Sequence, residues 1–136
     1  MASILIVDDD EDLAFILSDV LADSGHHVRV GRNGSDGLSM LDEQPLPDVI
    51  ILDIEMPVLD GPGMAQQMFL LDAGKEEIPI LLVSGSADLR AIARRVGTPY
   101  FAAKPCPLEN ILVLLRRALA EHIPPSPIDL DGGRRE

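Results

Sequence analysis

Short apolar runs and longer segments of helical periodicity alternate along the chain. Short runs of Ile, Leu and Val bounded by polar residues predict buried strands at residues 4–7 and 49–52, and further short runs predict strands at 28–30, 80–83 and 100–103. Apolar residues at helical spacing predict helices at residues 10–24, from 35 to the prolines at 45 and 47, and at 64–71, 88–96 and 108–122. This alternation indicates parallel βαβ units. The predicted fold class is therefore α/β, a doubly wound sheet with helices on both faces.

The composition suits one globular domain. The chain has 136 residues, of which 46% are apolar, enough for a single core. Only 3% are aromatic, so the predicted core consists mainly of aliphatic side chains. The net charge of −12 argues against a nucleic-acid surface, which needs basic side chains against the phosphates. Cys106 is the only cysteine, so no disulfide can form within the chain.

The start of the chain bears on the location of the protein, and its end bears on the extent of the domain. The first three residues lead straight into a strand, without the basic flank and apolar stretch of a signal peptide, and no apolar run is long enough to span a bilayer. We therefore expect a cytoplasmic protein. Residues 124–136 contain three prolines, two glycines and few apolar side chains. We expect one domain over residues 1–123 and a disordered tail or linker over 124–136.

Reactive side chains follow four of the five predicted strands. They are Asp8 and Asp9 after the first strand, Asp53 after the third, Ser84 after the fourth and Lys104 after the fifth. In an open doubly wound sheet, ligands bind beyond the carboxyl ends of the strands. Taken singly, an acidic pair suits a helix N-terminus, a lysine suits a solvated surface and a Ser-Gly-Ser segment suits a turn. Together, the complementary side chains at the ends of four strands predict a functional site.

The combination suits phosphoryl transfer to a carboxylate. Converging carboxylates repel one another, and a hard divalent ion, Mg²⁺ or Mn²⁺, resolves the conflict, since the sequence has no Cys/His cluster to favour zinc. Asp53 is the predicted nucleophile and forms an acyl phosphate. Lys104 places positive charge on one phosphoryl oxygen, and the Ser84 hydroxyl and the Gly85 N–H donate hydrogen bonds to the same group.

Four stretches together resemble the receiver domain of bacterial response regulators. They are Val7-Asp8-Asp9, residues 53–61, Ser84-Gly85 and Lys104-Pro105. The second stretch fits the family pattern D-x-x-M-P-x-x-D-G at every fixed position, and the resemblance extends over residues 4–122. It implies a flavodoxin-like three-layer sandwich of five βα units, with the parallel strands in the order 2-1-3-4-5.

The resemblance also implies roles for the acidic residues. Asp53 receives a phosphoryl group from a phosphohistidine on a sensor histidine kinase or a histidine phosphotransfer protein. Asp9, Asp53 and the backbone carbonyl of Glu55 ligate Mg²⁺, and Asp8 holds water molecules of the ion. Glu55 also flanks the path of the hydrolysing water, so we expect it to influence the lifetime of the phosphorylated state. The protein is then a signalling switch and not an enzyme that acts on other molecules.

A switch built from Ser84 and a ring on the fifth strand is implied as well. Phosphorylation draws Ser84 inward, and the ring three residues before the lysine fills the vacated space. That ring is Phe101 here, and strand alternation suggests that Phe101 points inward and Tyr100 outward. A cis peptide before Pro105 aims Lys104 into the site. The segment between the fourth and fifth strands is short for the family, so we expect a truncated or irregular fourth helix.

The apolar residues of the last predicted helix suggest two ways in which that helix could pack. Its five consecutive apolar residues, 111–115, cover more than one helix face. They suit either a deeply packed helix or an exposed stripe for a homodimer, on the face formed by the fourth helix, the fifth strand and the fifth helix.

Two other functions compete with the phosphoacceptor switch. Asp8 and Asp10 resemble the nucleophile and the acid/base of a haloacid-dehalogenase-type phosphatase, but that interpretation leaves Asp53 and its Met-Pro loop unexplained. The alternative is a receiver-like interaction module that switches by protein contact alone. Turnover of free phosphomonoesters would identify the phosphatase, and failure to accept a phosphoryl group would identify the interaction module.

Overall fold

The computed structural model describes residues 1–71 and 74–127, and within them the chain alternates five strands with five helices. The strands are β1 Ser3–Val7, β2 His27–Gly31, β3 Val49–Leu52, β4 Ile80–Ser84 and β5 Tyr100–Ala103. The helices are α1 Glu11–Asp23, α2 Gly34–Met40, α3 Gly61–Leu71, α4 Leu89–Val96 and α5 Leu108–Glu121, with a 3-10 helix at Lys75–Glu77. The predicted alternation is confirmed.

All the described strands join one parallel sheet in the order β2-β1-β3-β4-β5, as the resemblance implied. β1 and β3 are neighbours, with Val7 opposite Leu52, and the Asp53 N–H donates to the Val7 carbonyl at 2.9 Å. β4 and β5 also end together, where the Lys104 N–H donates to the Ser84 carbonyl at 2.9 Å. The strands that carry the predicted site residues therefore end at one edge of the sheet.

Two apolar clusters, one on each face of the sheet, hold the layers together. Side chains alternate along each strand, so Leu5 and Val7 of β1 pack toward α2, α3 and α4, whereas Ile4 and Ile6 pack toward α1 and α5. All four side chains are fully buried. A parallel sheet covered on both faces requires such continuous apolar runs. Burial of each such side chain contributes about 1.5–3 kcal/mol.

The prediction that Tyr100 points outward is wrong. Because helices cover both faces of the sheet, alternation along β5 moves side chains between two covered faces and not between core and solvent. Tyr100 is fully buried in the cluster beneath α1 and α5, and its hydroxyl donates to Glu121 Oε1 at 2.7 Å. Phe101 is half-buried against the opposite cluster, with the Arg90 guanidinium 5.8 Å from its ring centre.

The helices differ from expectation at α2, which ends at Met40 and does not reach the prolines at 45 and 47, and at the start of α3. α3 begins at Gly61 and not at Met64, because Asp60 caps it: the Gly63 N–H donates to Asp60 Oδ1 at 2.8 Å. α4 has eight residues against 13 in α1, so the fourth helix is short, as expected. In α5, Ile111 and Leu115 are buried, whereas Val113 is 47% exposed. None of the described helices is long and apolar enough to cross a membrane.

The chain continues in contact with the domain after α5. His122 ends the helix in a left-handed conformation, at φ 54°, and Pro125 is buried. The Ser126 N–H donates to the Gly97 carbonyl at 3.0 Å. These contacts extend past residue 123, where we placed the end of the domain. Residues 128–136 of the expected tail lie outside the described residues.

Candidate functional site

Three carboxylates meet where β1 and β3 end. Asp8, Asp9 and Asp53 each offer one carboxylate oxygen, and the three oxygens lie within 4.8 Å of one another. Asp8 and Asp53 are only 4% and 5% exposed, whereas Asp9 faces solvent. A set of oxygen donors that is partly open to water fits a hard divalent cation such as Mg²⁺, which retains several of its own waters. The predicted convergence of these carboxylates is confirmed.

Lys104 reaches the same cluster from the end of β5. Its Nζ lies 3.0 Å from Asp8 Oδ2 and 3.5 Å from Asp53 Oδ2, and its side chain is partly shielded from solvent. The peptide between Lys104 and Pro105 is cis, as the resemblance implied. One cation therefore contacts both buried carboxylates and offsets part of their mutual repulsion.

Burial and neighbouring charges set the protonation of these groups. Burial raises the pKa of the Asp8 carboxyl to about 6, although the Asp10 N–H, which donates to it at 2.9 Å, and the Lys104 ammonium act in the opposite direction. The charge of Asp53 adds to the rise. Burial by itself lowers the pKa of Lys104, but the hydrogen bond and charge of Asp8 outweigh burial, with help from Asp53, so that pKa is raised. Lys104 therefore stays positively charged at neutral pH.

The Asp53 side chain is oriented by its own backbone segment. The Ile54 N–H donates to Asp53 Oδ1 at 2.7 Å, while Oδ2 faces Lys104. The start of α3 packs against the same segment, and the Gly61 N–H donates to the Ile54 carbonyl at 2.9 Å. A Cβ built on Gly61 would overlap the Asp53 carbonyl oxygen. Glycine at this position is what allows α3 to support Asp53 from behind.

The loop between β3 and α3 contains a strained turn. The Leu59 N–H donates to the Pro57 carbonyl at 2.8 Å, which closes a three-residue γ-turn around Val58 at φ 70°. The Gly34 N–H of α2 donates to the Leu59 carbonyl at 2.7 Å and holds the loop from the other side. Glu55, in the same loop, has an exposed side chain. Sequence reasoning missed Gly34 and Val58, because both act through the backbone and no residue pattern marks them.

The two predicted switch residues lie on neighbouring strands. Ser84 ends β4, is 1% exposed, and its Oγ accepts from the Ser86 N–H at 3.2 Å. Phe101 lies opposite Leu82 in the pairing of β4 with β5. Ser84 therefore stands at the same edge as the acidic cluster, whereas Phe101 lies further back along the sheet.

Comparisons with known proteins agree with this geometry. The family model of the response regulator receiver domain matches residues 4–116. Protein PilH of Pseudomonas aeruginosa is 34% identical over 122 residues, which are 88% of this chain and 99% of PilH. The transcriptional regulatory protein PrrA of Mycobacterium tuberculosis is 32% identical over 97% of this chain, which spans only 60% of PrrA.

A solved structure extends the agreement to the fold. The signal receiver domain of a signal transduction histidine kinase from Syntrophus aciditrophicus matches with a TM-score of 0.78 at 28% identity, over 89% of this chain and 92% of that one. The strand order β2-β1-β3-β4-β5 and the acidic cluster at the carboxyl edge of the sheet agree with this match. This chain belongs to the family of response regulator receiver domains.

Proposed function

We propose that this protein is the phosphoacceptor switch of a two-component phosphorelay, with Asp53 as the acceptor. The observation that carries the proposal is the meeting of Asp8, Asp9 and Asp53 with the Lys104 ammonium at the ends of three strands. The carboxylates suit a divalent cation and the ammonium adds a second positive charge, and both favour a phosphoryl group at this place. Receiver domains are signalling switches and not enzymes for free substrates.

The environment of Asp53 suits a nucleophile. Its Oδ1 is held by the Ile54 N–H at 2.7 Å, and its Oδ2 lies 3.5 Å from the Lys104 Nζ. In the proposed transfer, Asp53 Oδ2 attacks phosphorus while the bond between phosphorus and the donor histidine nitrogen breaks, and that nitrogen keeps the electron pair. Lys104 is close enough to move its contact from the carboxylates to a phosphoryl oxygen, and the Ser84 hydroxyl and the Gly85 N–H would donate to the same group.

Asp9, Asp53 and the backbone carbonyl of Glu55 would hold Mg²⁺ or Mn²⁺, with Asp8 bound to waters of the ion. When bound, the ion supplies positive charge to a phosphoryl oxygen. The exposure of Asp9 supports its role as a direct ligand of the ion, because a ligand that faces solvent leaves room for the retained waters. The burial of Asp8 and its contact with Lys104 support a role for Asp8 through waters of the ion and not as a direct ligand.

The proposed output is a change in the face formed by α4, β5 and α5. Ser84 would donate its hydroxyl to the phosphoryl group and draw the segment before α4 inward, and Phe101 would fill the space. The burial of Ser84 at the end of β4 and the half-burial of Phe101 support this pair. Glu55 is proposed to set the lifetime of the phosphorylated state. Equal dephosphorylation rates for the wild type and Glu55→Ala would contradict that role.

The proposed donor is a sensor histidine kinase or a histidine phosphotransfer protein in the cytoplasm. The net charge of −12 does not suit direct binding to DNA. A homodimer through the α4, β5 and α5 face is also proposed, on the grounds that Val113 of α5 is exposed there. A monomer at all concentrations, with and without phosphorylation, would contradict the dimer.

Intact mass spectrometry after incubation with acetyl phosphate tests the acceptor. We expect one added phosphoryl group in the wild type when Mg²⁺ is present, and none without Mg²⁺ or in Asp53→Asn. Asp19→Asn, which removes an exposed carboxylate of α1, is the matched control and should be phosphorylated like the wild type. An adduct that survives in Asp53→Asn would move the acceptor to another residue. No adduct in the wild type would favour the phosphate-independent interaction module.

A further inference from the structure

Residues 122–127, here termed the C-terminal strap, dock on the end of α4. His122 turns the chain back at the end of α5, and Pro125 is buried. The Ser126 N–H then donates to the Gly97 carbonyl at 3.0 Å. Three of residues 124–127 are prolines, so Ser126 supplies their only backbone N–H. The Ser126 N–H and the buried Pro125 ring therefore both contribute to the docking of this segment.

The C-terminal strap docks against Gly97. This glycine ends α4 at φ 81°, and a Cβ built on it would overlap the backbone of Ser126. Gly25, just after α1, has a similar backbone conformation at φ 92°, but nothing lies within 4 Å of a Cβ built there. Alanine is therefore strained at both positions but meets the strap at only one of them. The two glycines form a matched pair that isolates the strap contact.

The strap also joins α5 to the start of β5. The Tyr100 hydroxyl donates to Glu121 Oε1 at 2.7 Å, and the Ile123 backbone forms a hydrogen bond with the same hydroxyl. Tyr100 is the first residue of β5 and Gly97 the first after α4. The last turn of α5 and the strap thus cross from the end of α5, over the start of β5, to the end of α4.

α4 connects Gly97, where the strap docks, to the candidate phosphoryl site. Ser84 ends β4, residues 85–88 follow, and α4 then runs for eight residues, about 12 Å, to Gly97. Coupling through α4 requires that this short helix move as one body, so that a pull on Ser84 toward Asp53 displaces the carbonyl on which Ser126 docks. Displacement by even a fraction of a hydrogen-bond length weakens that bond.

We infer that the C-terminal strap is a regulatory element that is docked on α4 while Asp53 is unmodified and is released when a phosphoryl group binds there. This inference rests on the proposed function, because it requires Asp53 to be the acceptor. Coupling between two sites is reciprocal: if the phosphoryl group weakens docking of the strap, loss of the strap strengthens binding of the phosphoryl group by the same factor.

Hydrogen exchange of the Ser126 amide in the full chain measures docking directly. We expect this amide to be protected in the unmodified protein. Addition of Mg²⁺ with beryllofluoride, a mimic of the phosphoryl group, should lower the protection at least about fivefold, the lower end of usual couplings. An unprotected Ser126 amide in the unmodified protein, or equal protection with and without the bound mimic, would overturn the inference.

Two substitutions within the strap measure the reverse coupling without touching α4. Ser126→Pro removes the N–H that reaches Gly97, whereas Ser126→Ala keeps it. We expect Ser126→Pro to bind Mg²⁺ and beryllofluoride about fivefold more tightly than Ser126→Ala, because both variants lose the hydroxyl and only Ser126→Pro loses the backbone donor. Equal affinities in Ser126→Pro and Ser126→Ala would overturn the coupling.

Gly97→Ala and Gly25→Ala give the same test from the side of the helix. Gly97→Ala should tighten binding of the mimic and deprotect the Ser126 amide, and Gly25→Ala should do neither. Identical behaviour of the two variants would count against the strap contact. Failure of the wild type to bind the mimic at all would overturn the proposed function and the coupling with it, whereas protection of Ser126 in the unmodified protein would still report a docked strap.

Discussion

Val58 occupies a backbone conformation that suits glycine. A β-branched residue at φ 70° is strained by about 1–3 kcal/mol, and its 84% exposed side chain gains little from packing. We predict that Val58→Gly raises the free energy of unfolding by about 1 kcal/mol, since relief of strain exceeds the entropy that glycine costs. Val58→Ala keeps a Cβ and should gain little. Urea denaturation measures both variants, and a less stable Val58→Gly would contradict the strained turn.

The strain persists because neighbouring backbone groups hold the turn at both ends. The Gly34 N–H fixes the Leu59 carbonyl, and the Gly61 N–H fixes the Ile54 carbonyl. A loop held in this way presents the backbone carbonyl of Glu55 in one position, which is what a proposed metal ligand needs. The energy stored at Val58 is therefore consistent with a site that depends on a rigid loop.

Gly61 and Gly63 lie in the first turn of α3 but differ in what surrounds them. A Cβ on Gly61 would overlap the backbone of Asp53, which cannot move without leaving the site. A Cβ on Gly63 would meet Leu59 Cδ1 at 2.7 Å and Asp60 Oδ1 at 3.0 Å, both of them atoms at the ends of side chains that can shift. We predict that Gly61→Ala costs at least about 2 kcal/mol of stability and most of the phosphorylation by acetyl phosphate.

Gly63→Ala is the matched control, since it makes the same chemical change within the same helix. It should cost less than about 1 kcal/mol and keep phosphorylation near that of the wild type. Urea denaturation and intact mass report the two effects separately. Equal losses in both alanine variants would show that helix propensity at the start of α3, and not support of Asp53, determines the outcome.

At the level of elements, the strands were easier to predict than the helix ends. β3 and β5 have the predicted bounds, because both strands are apolar throughout and end where polar residues begin. The start of α3 was missed because Gly61, Pro62 and Gly63 are poor helix formers. Its cap, Asp60, is visible in the sequence but lies four residues before the predicted start of the helix at residue 64. Tyr100 was misplaced because alternation was taken to separate core from solvent, whereas in a sheet with helices on both faces it separates two covered faces.

Tyr100 joins β5 to α5, and its ionisation reports that contact. Burial, and then the hydrogen bond to Glu121, raise the pKa of the phenol from 10.0 to about 12. The folded protein therefore holds this proton more tightly than the unfolded chain does. The associated stability is fully present below pH 10.0 and is lost as the pH rises through about 12.

A spectroscopic titration checks this prediction with one chromophore. Tyr100 is the only tyrosine and the chain has no tryptophan, so the near-ultraviolet absorbance of tyrosinate arises from this side chain alone. We expect a midpoint well above the ordinary value in the wild type and a lower midpoint in Glu121→Gln, which loses the neighbouring negative charge. An ordinary midpoint in the folded wild type would mean that the phenol is not buried beneath α5.

For the whole molecule, the location of the site was predictable and its internal support was not. A doubly wound sheet gathers the residues that follow its strands, so Asp8, Asp9, Asp53 and Lys104 could be placed together from their order alone. The contacts of Gly34 with Leu59, of Gly61 with Asp53 and of Gly97 with Ser126 are close approaches between backbones. Such contacts leave no periodicity and no charge pattern, so only the folded structure shows them.

Mg²⁺ should stabilise the whole domain if the acidic cluster is its site. A ligand that binds only the folded state adds about 2.7 kcal/mol at a hundred times its dissociation constant. We predict a gain of this kind for the wild type in chemical denaturation with saturating Mg²⁺, and its loss in Asp9→Asn. Asp19→Asn removes the same charge from an exposed position on α1 and should retain the gain, which separates a specific site from general screening of the net charge of −12. An equal gain in Asp9→Asn and Asp19→Asn would mean that Mg²⁺ acts on the acidic surface at large and that Asp9 is not a ligand.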